Sequence, residues 1–299
     1  MAESHTASQT TEVNQSTTEE SHEIVSSADG HEELVHEHTL FAEPLFELGP
    51  LTVTNSLFTS WIALFILLVI GLAFRSQLGT VPKKLQNVVE MVMEKFLEIF
   101  DAITGSRERS IKLAPFVMSF FALILINNWL GLIPGVGSIG QIVMHEGHRT
   151  FIPYLRGGTA DLNTTLALAS IAVVASHIFG VIAVGAWTYL NKFINIKAFT
   201  EIPKKFLKDP TIIIINPIKA FVGLIEIIGE VAKIASLSFR LFGNIFAGEV
   251  LLASMAAIIA FAVPIPFMFL EIIVGLIQAL IFAILVLIYV SISTTAEEH

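Results

Sequence analysis

The sequence contains no cysteine, which excludes disulfides, thiolate catalysis and cysteine-based metal sites while leaving the compartment open. Charge is also scarce. Asp, Glu, Lys and Arg make up 14% of the 299 residues against 54% hydrophobic residues, and mean hydropathy is +0.75. That balance points to an all-α polytopic membrane protein with little soluble domain. Basic residues are missing altogether from residues 1–53, which carry eleven Asp or Glu. The remainder, with 17 basic and 15 acidic residues, is near neutral, so the net charge of -9 belongs to the N-terminal segment. A repeated half is absent too, which argues against the inverted repeats of many secondary transporters.

Residues 1–50 are rich in Ser, Thr, Glu and His and poor in large apolar side chains. Such a segment cannot bury enough surface to offset its ordering entropy, so a disordered acidic tail is expected. It has no basic start and no early apolar core, unlike a secretory signal peptide. The stretch HEELVHEH places His31 and His36 five apart, whereas HExxH needs four to bring both imidazoles to one helical face. A solvated tail is the better reading.

From residue 51 the chain reads as a membrane domain. Residues 54–74 form an uncharged apolar run long enough for a hydrocarbon core of about 30 Å. Arg75, Lys83 and Lys84 follow, which by the positive-inside rule holds that end in the cytoplasm and the N-terminus outside. Residues 82–104 alternate apolar and acidic positions at helical spacing, the pattern of a surface amphipathic helix. Further spans are expected at 113–134, 162–190, 211–262 and 267–293, the last bringing the C-terminus to the cytoplasm. Gly135, Gly137 and Gly140 make a formal GxGxxG. No strand or βαβ unit frames it, so it reads as a loop. The five lysines between 191 and 210 fix that connection inside.

The run from 211 to 262 would be about 78 Å long as one helix, so it must tilt strongly, bend or break, with Pro217 one place to bend. It carries Lys219, Glu226, Glu230, Lys233, Arg240 and Glu249. Each charge at bilayer depth costs at least about 2.5 kcal/mol and calls for a reason. Glu230 and Lys233, three apart, suit either an internal ion pair or a functional role. Arg240 is different. Its neighbours at three and four positions are Ser236, Leu237, Gly243 and Asn244, and Glu249, nine residues on, falls on the opposite face. Lys233, Glu226 and Lys219 precede it at steps of seven, forming one polar stripe that must face protein or water. Small residues around Arg240 leave room for another body, so its anion is expected on another chain. Asn163, Ser170 and His177 recur at steps of seven on the third span, and His177 reads equally as functional or as a hydrogen-bonded structural group. Glu271, Gln278 and Tyr289 share a face of the last helix.

Depth along these helices separates two polar groups. Lys219, Glu226, Glu230 and Lys233 lie on the cytoplasmic side of Arg240; Asn244, Glu249 and Glu271 lie on its outer side, with Asp161 and Asn163 at the mouth. Carboxylates take up and release protons, whereas arginine keeps its charge. The arrangement suggests two partial aqueous paths separated by a fixed positive charge, with the proton crossing the gap on a carboxylate carried by a moving partner.

The motif SLSFRLFGNIFAGE, with Gln278 on the following helix and NxxGLxP at the end of the second span, closely resembles the a subunits of F-type ATP synthases, from about residue 40 to the C-terminus. The resemblance implies a non-catalytic, multi-pass stator subunit of the inner cell membrane that conducts protons beside a ring of c subunits and binds peripheral-stalk b subunits. It implies no cofactor. Arg240 matches that family's essential arginine and Gln278 its partner glutamine. Asn244, Glu249, Glu271, Asp161 and Asn163 match outer half-channel positions, and Glu226, Lys233 and Ser236 the inner side. The competing expectation is a self-contained channel or carrier in which Glu249 or Glu271 supplies the anion for Arg240.

Overall fold

A computed structural model describes residues 41–75, 84–145, 148–189, 212–259 and 262–295. The acidic segment 1–40, with His31 and His36, and the basic connection 190–211 lie outside the described residues. Among the described residues, five helices are long and apolar enough to cross a membrane. The chain is a multi-pass, predominantly helical membrane protein.

The chain enters through a hairpin of β1 (Pro44–Leu48) and β2 (Leu51–Thr54), turning at Gly49 with φ 66°. This corrects the expectation of a disordered tail for residues 44–50. Phe46 pairs with Val53 and Glu47 with Thr52, and the buried Val53 shows how one apolar side chain anchors this segment to the membrane part. Helix α1 (Asn55–Arg75) follows, its Leu64, Phe65, Leu68 and Leu72 exposed for lipid. Helix α2 (Lys84–Thr104) is the amphipathic helix; its Phe96 and Phe100 turn inward against Phe121 and the core while Glu94 and Glu98 stay exposed.

Helix α3 (Arg107–Gly131) starts earlier than the apolar run because its first turns are polar and self-paired: Lys112 bonds Glu108 at 2.7 Å, and Arg107 reaches back to Asp101 at 2.9 Å and Glu94 at 2.6 Å. It ends before Pro134, since a residue preceding proline resists the helical conformation. The glycine-bearing connection is not merely a loop. Strands β3 (Gly140–His145) and β4 (His148–Pro153) pair antiparallel, as their alternating and β-branched residues favour. Helix α4 (Leu162–Val184) stops at Gly185, φ 91°.

Helix α5 (Ile212–Ile258) runs across position 217 without interruption and is about 70 Å long by its 47 residues, so of the expected tilt, bend or break, the break does not occur there. Helix α6 (Pro264–Thr294) begins three residues earlier than the apolar run suggests, because Pro264 sits in the first turn, where no N–H is needed. Helix α3 packs on α6, and α4 on both α5 and α6. Their shared core joins Val117, Phe120 and Ile124 to Leu237 and Leu241, Phe282 and Val286, with Ala169, Ala172, Ala279 and Ala283 allowing close approach.

Gly105, at φ 68° between α2 and α3, has nothing within 4 Å of where a methyl group would stand, so only backbone conformation selects glycine there. Gly105→Ala is expected to destabilise this junction by about 1 kcal/mol. Native-state hydrogen exchange of the 102–110 amides should then quicken about fivefold, and unchanged exchange would show that the turn does not require glycine.

Candidate ion-translocation site

Helices α5 and α6 run antiparallel in one register. Glu271 lies at Gly248, Gln278 at Asn244 and Tyr289 at Lys233, so the face shared by Glu271, Gln278 and Tyr289 is the face laid on α5. Gly248 is required by this contact: a Cβ there would fall on the Glu271 carboxyl.

Arg240 sits at the middle of the register, exposed on α5. Its Nη2 donates to Ser236 Oγ at 3.4 Å, and no carboxylate among the described residues lies within ion-pair distance. Asn244 and Ala247, also exposed, continue the same face, and Gly243 has nothing within 4 Å of where a side chain would begin. Beside this face Asn244 Nδ2 donates to Gln278 Oε1 at 2.6 Å. Gln278 is 3% exposed, and its amide Nε2 is buried with no hydrogen-bond partner among the described residues. Leaving such a donor unmet costs about 1–3 kcal/mol.

Towards the end of α5 beyond Asn244, Glu249 Oε2 accepts from Arg156 Nε at 3.1 Å. A cavity of about 180 Å3, lined among others by Glu43, Asn55, Arg156 and Glu249, shares Gly131, Gly157, Glu249 and Leu252 with a smaller one of about 30 Å3 that is also lined by Asn128 and Glu271. Glu271 is 7% exposed, and among the described residues nothing donates to its carboxyl. The walls come from the NNW triplet of α3: Asn128 donates to the Gly275 carbonyl at 3.0 Å and accepts from Thr159, and Trp129 donates to the Ile272 carbonyl at 3.2 Å. Gly131 and Gly157 let the α3 end and the 154–161 segment touch, since a Cβ on Gly131 would stand 2.9 Å from Gly157 Cα.

On the other side of Arg240 lies a second cluster. Lys233 Nζ bonds Glu230 Oε1 at 2.7 Å and sits 5.2 Å from the Tyr289 ring centre. Glu230 Oε2 is also 3.5 Å from His177 Nε2, and His177 Nδ1 is 2.6 Å from Tyr189 Oη. Glu230 and Lys233 thus pair as their spacing suggests, but within a chain of groups that includes His177. Glu226, half-buried, stands one turn further along. The side chain of Lys219 lies outside the described residues.

Asp161 and Asn163 line neither of the two cavities. Both Asp161 oxygens are taken up in capping α4, accepting from the Asn163 and Thr164 amides at 3.2 Å, the Thr164 hydroxyl and the Ala42 amide. Asn163 is exposed. Sequence reasoning missed Arg156, Tyr189 and the Asn128–Thr159 contact. Arg156 offered one faint signal, as one of two cations in the connection between the second and third spans.

Residues 57–291 match the family model described as ATP synthase A chain. The ATP synthase subunit a of Syntrophobacter fumaroxidans is 32% identical over 253 residues, covering 84% of this chain and 89% of that protein. That of Moorella thermoacetica is 30% identical over 248 residues, covering 83% and 94%. A chloroplastic ATP synthase subunit a, from Stigeoclonium helveticum, is 30% identical over 271 residues, covering 86% and 96%. With its helices, its arginine face and its glutamine in this arrangement, the chain belongs to the ATP synthase A chain family.

Proposed function

We propose that this chain is the proton-conducting stator subunit of the Fo sector of an F-type ATP synthase, passing protons between two offset half-channels by way of a carboxylate on a rotating c ring. It is not catalytic by itself. It sits in the inner cell membrane with its N-terminus outside and C-terminus inside, beside the c ring and the peripheral-stalk b subunits.

The observation that carries this reading is Arg240: a fixed positive charge, exposed, with no carboxylate partner among the described residues and a smooth face of Gly243, Asn244 and Ala247 beside it. A ring carboxylate arriving deprotonated finds there a counter-ion and the unmet Gln278 amide. The outer path runs by the two neighbouring cavities to Glu249, Glu271 and Asn244, with Asp161 and Asn163 holding its mouth. The inner path is assigned to Glu226, Lys233, Ser236 and His177, with Glu230 in the same chain of groups. Arg240 between them lets protons reach it from either side and not pass. The alternative, a self-contained channel or carrier with an internal Arg–Glu pair, is disfavoured because Glu249 is engaged by Arg156 and Glu271 lies against Gly248.

The absence of native cysteine makes the assignment testable by disulfide mapping. Ala247→Cys should cross-link to a cysteine on the outward helix of the ring subunit in the assembled complex, whereas Ile70→Cys on α1 should not. Cross-linking at Ile70 alone would place the ring on another face. Arg240→Lys keeps charge but loses the planar fork, and should lower ATP-driven pumping roughly a hundredfold if geometry towards the carboxylate matters. Near-normal pumping would refute that. Gly248→Val should displace the Glu271 carboxyl and slow pumping roughly tenfold with the complex intact; an unchanged rate would remove Glu271 from the path.

A further inference from the structure

Glu249 lines both cavities, and Arg156 pairs with it there. The arginine is tied from several sides. Its Nη1 donates to the Phe41 carbonyl at 3.2 Å, its backbone N–H donates to Thr59 Oγ1 at 3.2 Å, and its side chain is 9% exposed. On the other flank Gly157 brings backbone close to Glu249 Oε1, within 3.5 Å of where a Cβ would stand. The carboxylate therefore has one oxygen bonded by a guanidinium and the other beside the Gly157 backbone.

Resting on the reading of the outer path given above, we propose that Arg156 is the cation filter of that path, keeping sodium and other metal cations off Glu249 while protons pass. A proton needs one lone pair and a water to deliver it. A metal cation needs a shell of several oxygens, and it brings a full charge that stays in place and blocks the passage. The guanidinium occupies the side from which such a shell would be built, removing the carboxylate as a two-oxygen ligand. It also repels a resident cation at a few ångströms in a partly buried site, where like charges interact far more strongly than in water. Repulsion of this kind acts on a proton as on any monovalent cation, so the discrimination rests on the oxygen shell that a metal cation needs and a proton does not. Removing the guanidinium leaves Glu249 without its charged partner on the wall of the cavity of about 180 Å3, a site for a hydrated metal ion.

The test uses the whole ATP synthase in inverted membrane vesicles, whose lumen corresponds to the outer face, filled with about 0.1 M sodium chloride or choline chloride, concentrations at which long-range charge effects are equally screened. The readout is the ratio of ATP-driven acidification rates in the two salts, not the rate itself. Failure of the wild type to acidify the lumen in either salt would count against the underlying stator reading, so the two failures are distinguishable. The filter predicts a ratio near one for the wild type and for Arg156→Lys. For Arg156→Gln it predicts roughly tenfold slowing by sodium. A wild type slowed by lumenal sodium, or Arg156→Gln with an unchanged ratio, overturns the proposal. Should Arg156→Gln fail to assemble, Arg156→His replaces it. Sodium inhibition that appears only at lumenal pH above the histidine range supports the filter, and insensitivity to sodium across the range overturns it.

Discussion

One constraint organises the molecule: a guanidinium that cannot lose its charge is held in an apolar helix with no carboxylate among the described residues to neutralise it. Such a charge at depth is tolerated only where protein or water covers it. The chain devotes its other charges to keeping this isolation. Glu249 is taken by Arg156 and Glu230 by Lys233, so neither carboxylate reaches Arg240. The isolation is a property of the packing, because sliding α6 along α5 by about 12 Å would bring Glu271 to the arginine, whereas it is seated at Gly248, eight residues along α5.

The packing that prevents it is the antiparallel register of α5 and α6. Gly248 seats Glu271, Asn244 holds Gln278, and Lys233 lies over Tyr289, three contacts spread over both sides of Arg240. The alanines of α4 and α6 bring these helices together, and the asparagine and tryptophan at the end of α3 bind the carbonyls of α6 near Glu271. The two polar clusters therefore sit at fixed, opposite offsets from the arginine. That separation is what allows a proton path from each side to end at the same charge without joining.

Much of this was legible in the sequence because membrane physics leaves few choices. Apolar runs of the right length mark the spans, and a period of seven places Arg240, Lys233 and Glu226 on one stripe. The shared face of Glu271, Gln278 and Tyr289 is indeed the face against α5. What was not legible depended on contacts distant in the chain. The Arg156–Glu249 pair joins residues 93 apart, and His177 meets Glu230 across two helices. Asp161 reads as a group at a channel mouth, yet its oxygens are taken by the α4 amides and Ala42, a use that the Asp-x-Asn-Thr spacing also permits. The hairpins at 44–54 and 140–153 were hidden because short, half-exposed strands carry weak periodicity beside glycine and proline.

The central claim is that Arg240 is both the counter-ion of a moving carboxylate and the barrier between two proton paths. Proton flux in inverted vesicles carrying Arg240→Ala tests it most directly, with ATP-driven pumping and passive leak recorded separately on complexes shown to retain the ring. The account predicts that pumping is lost and that a passive proton leak appears, because the two paths meet once the charge is gone. Preserved pumping would contradict it and make Arg240 a structural residue.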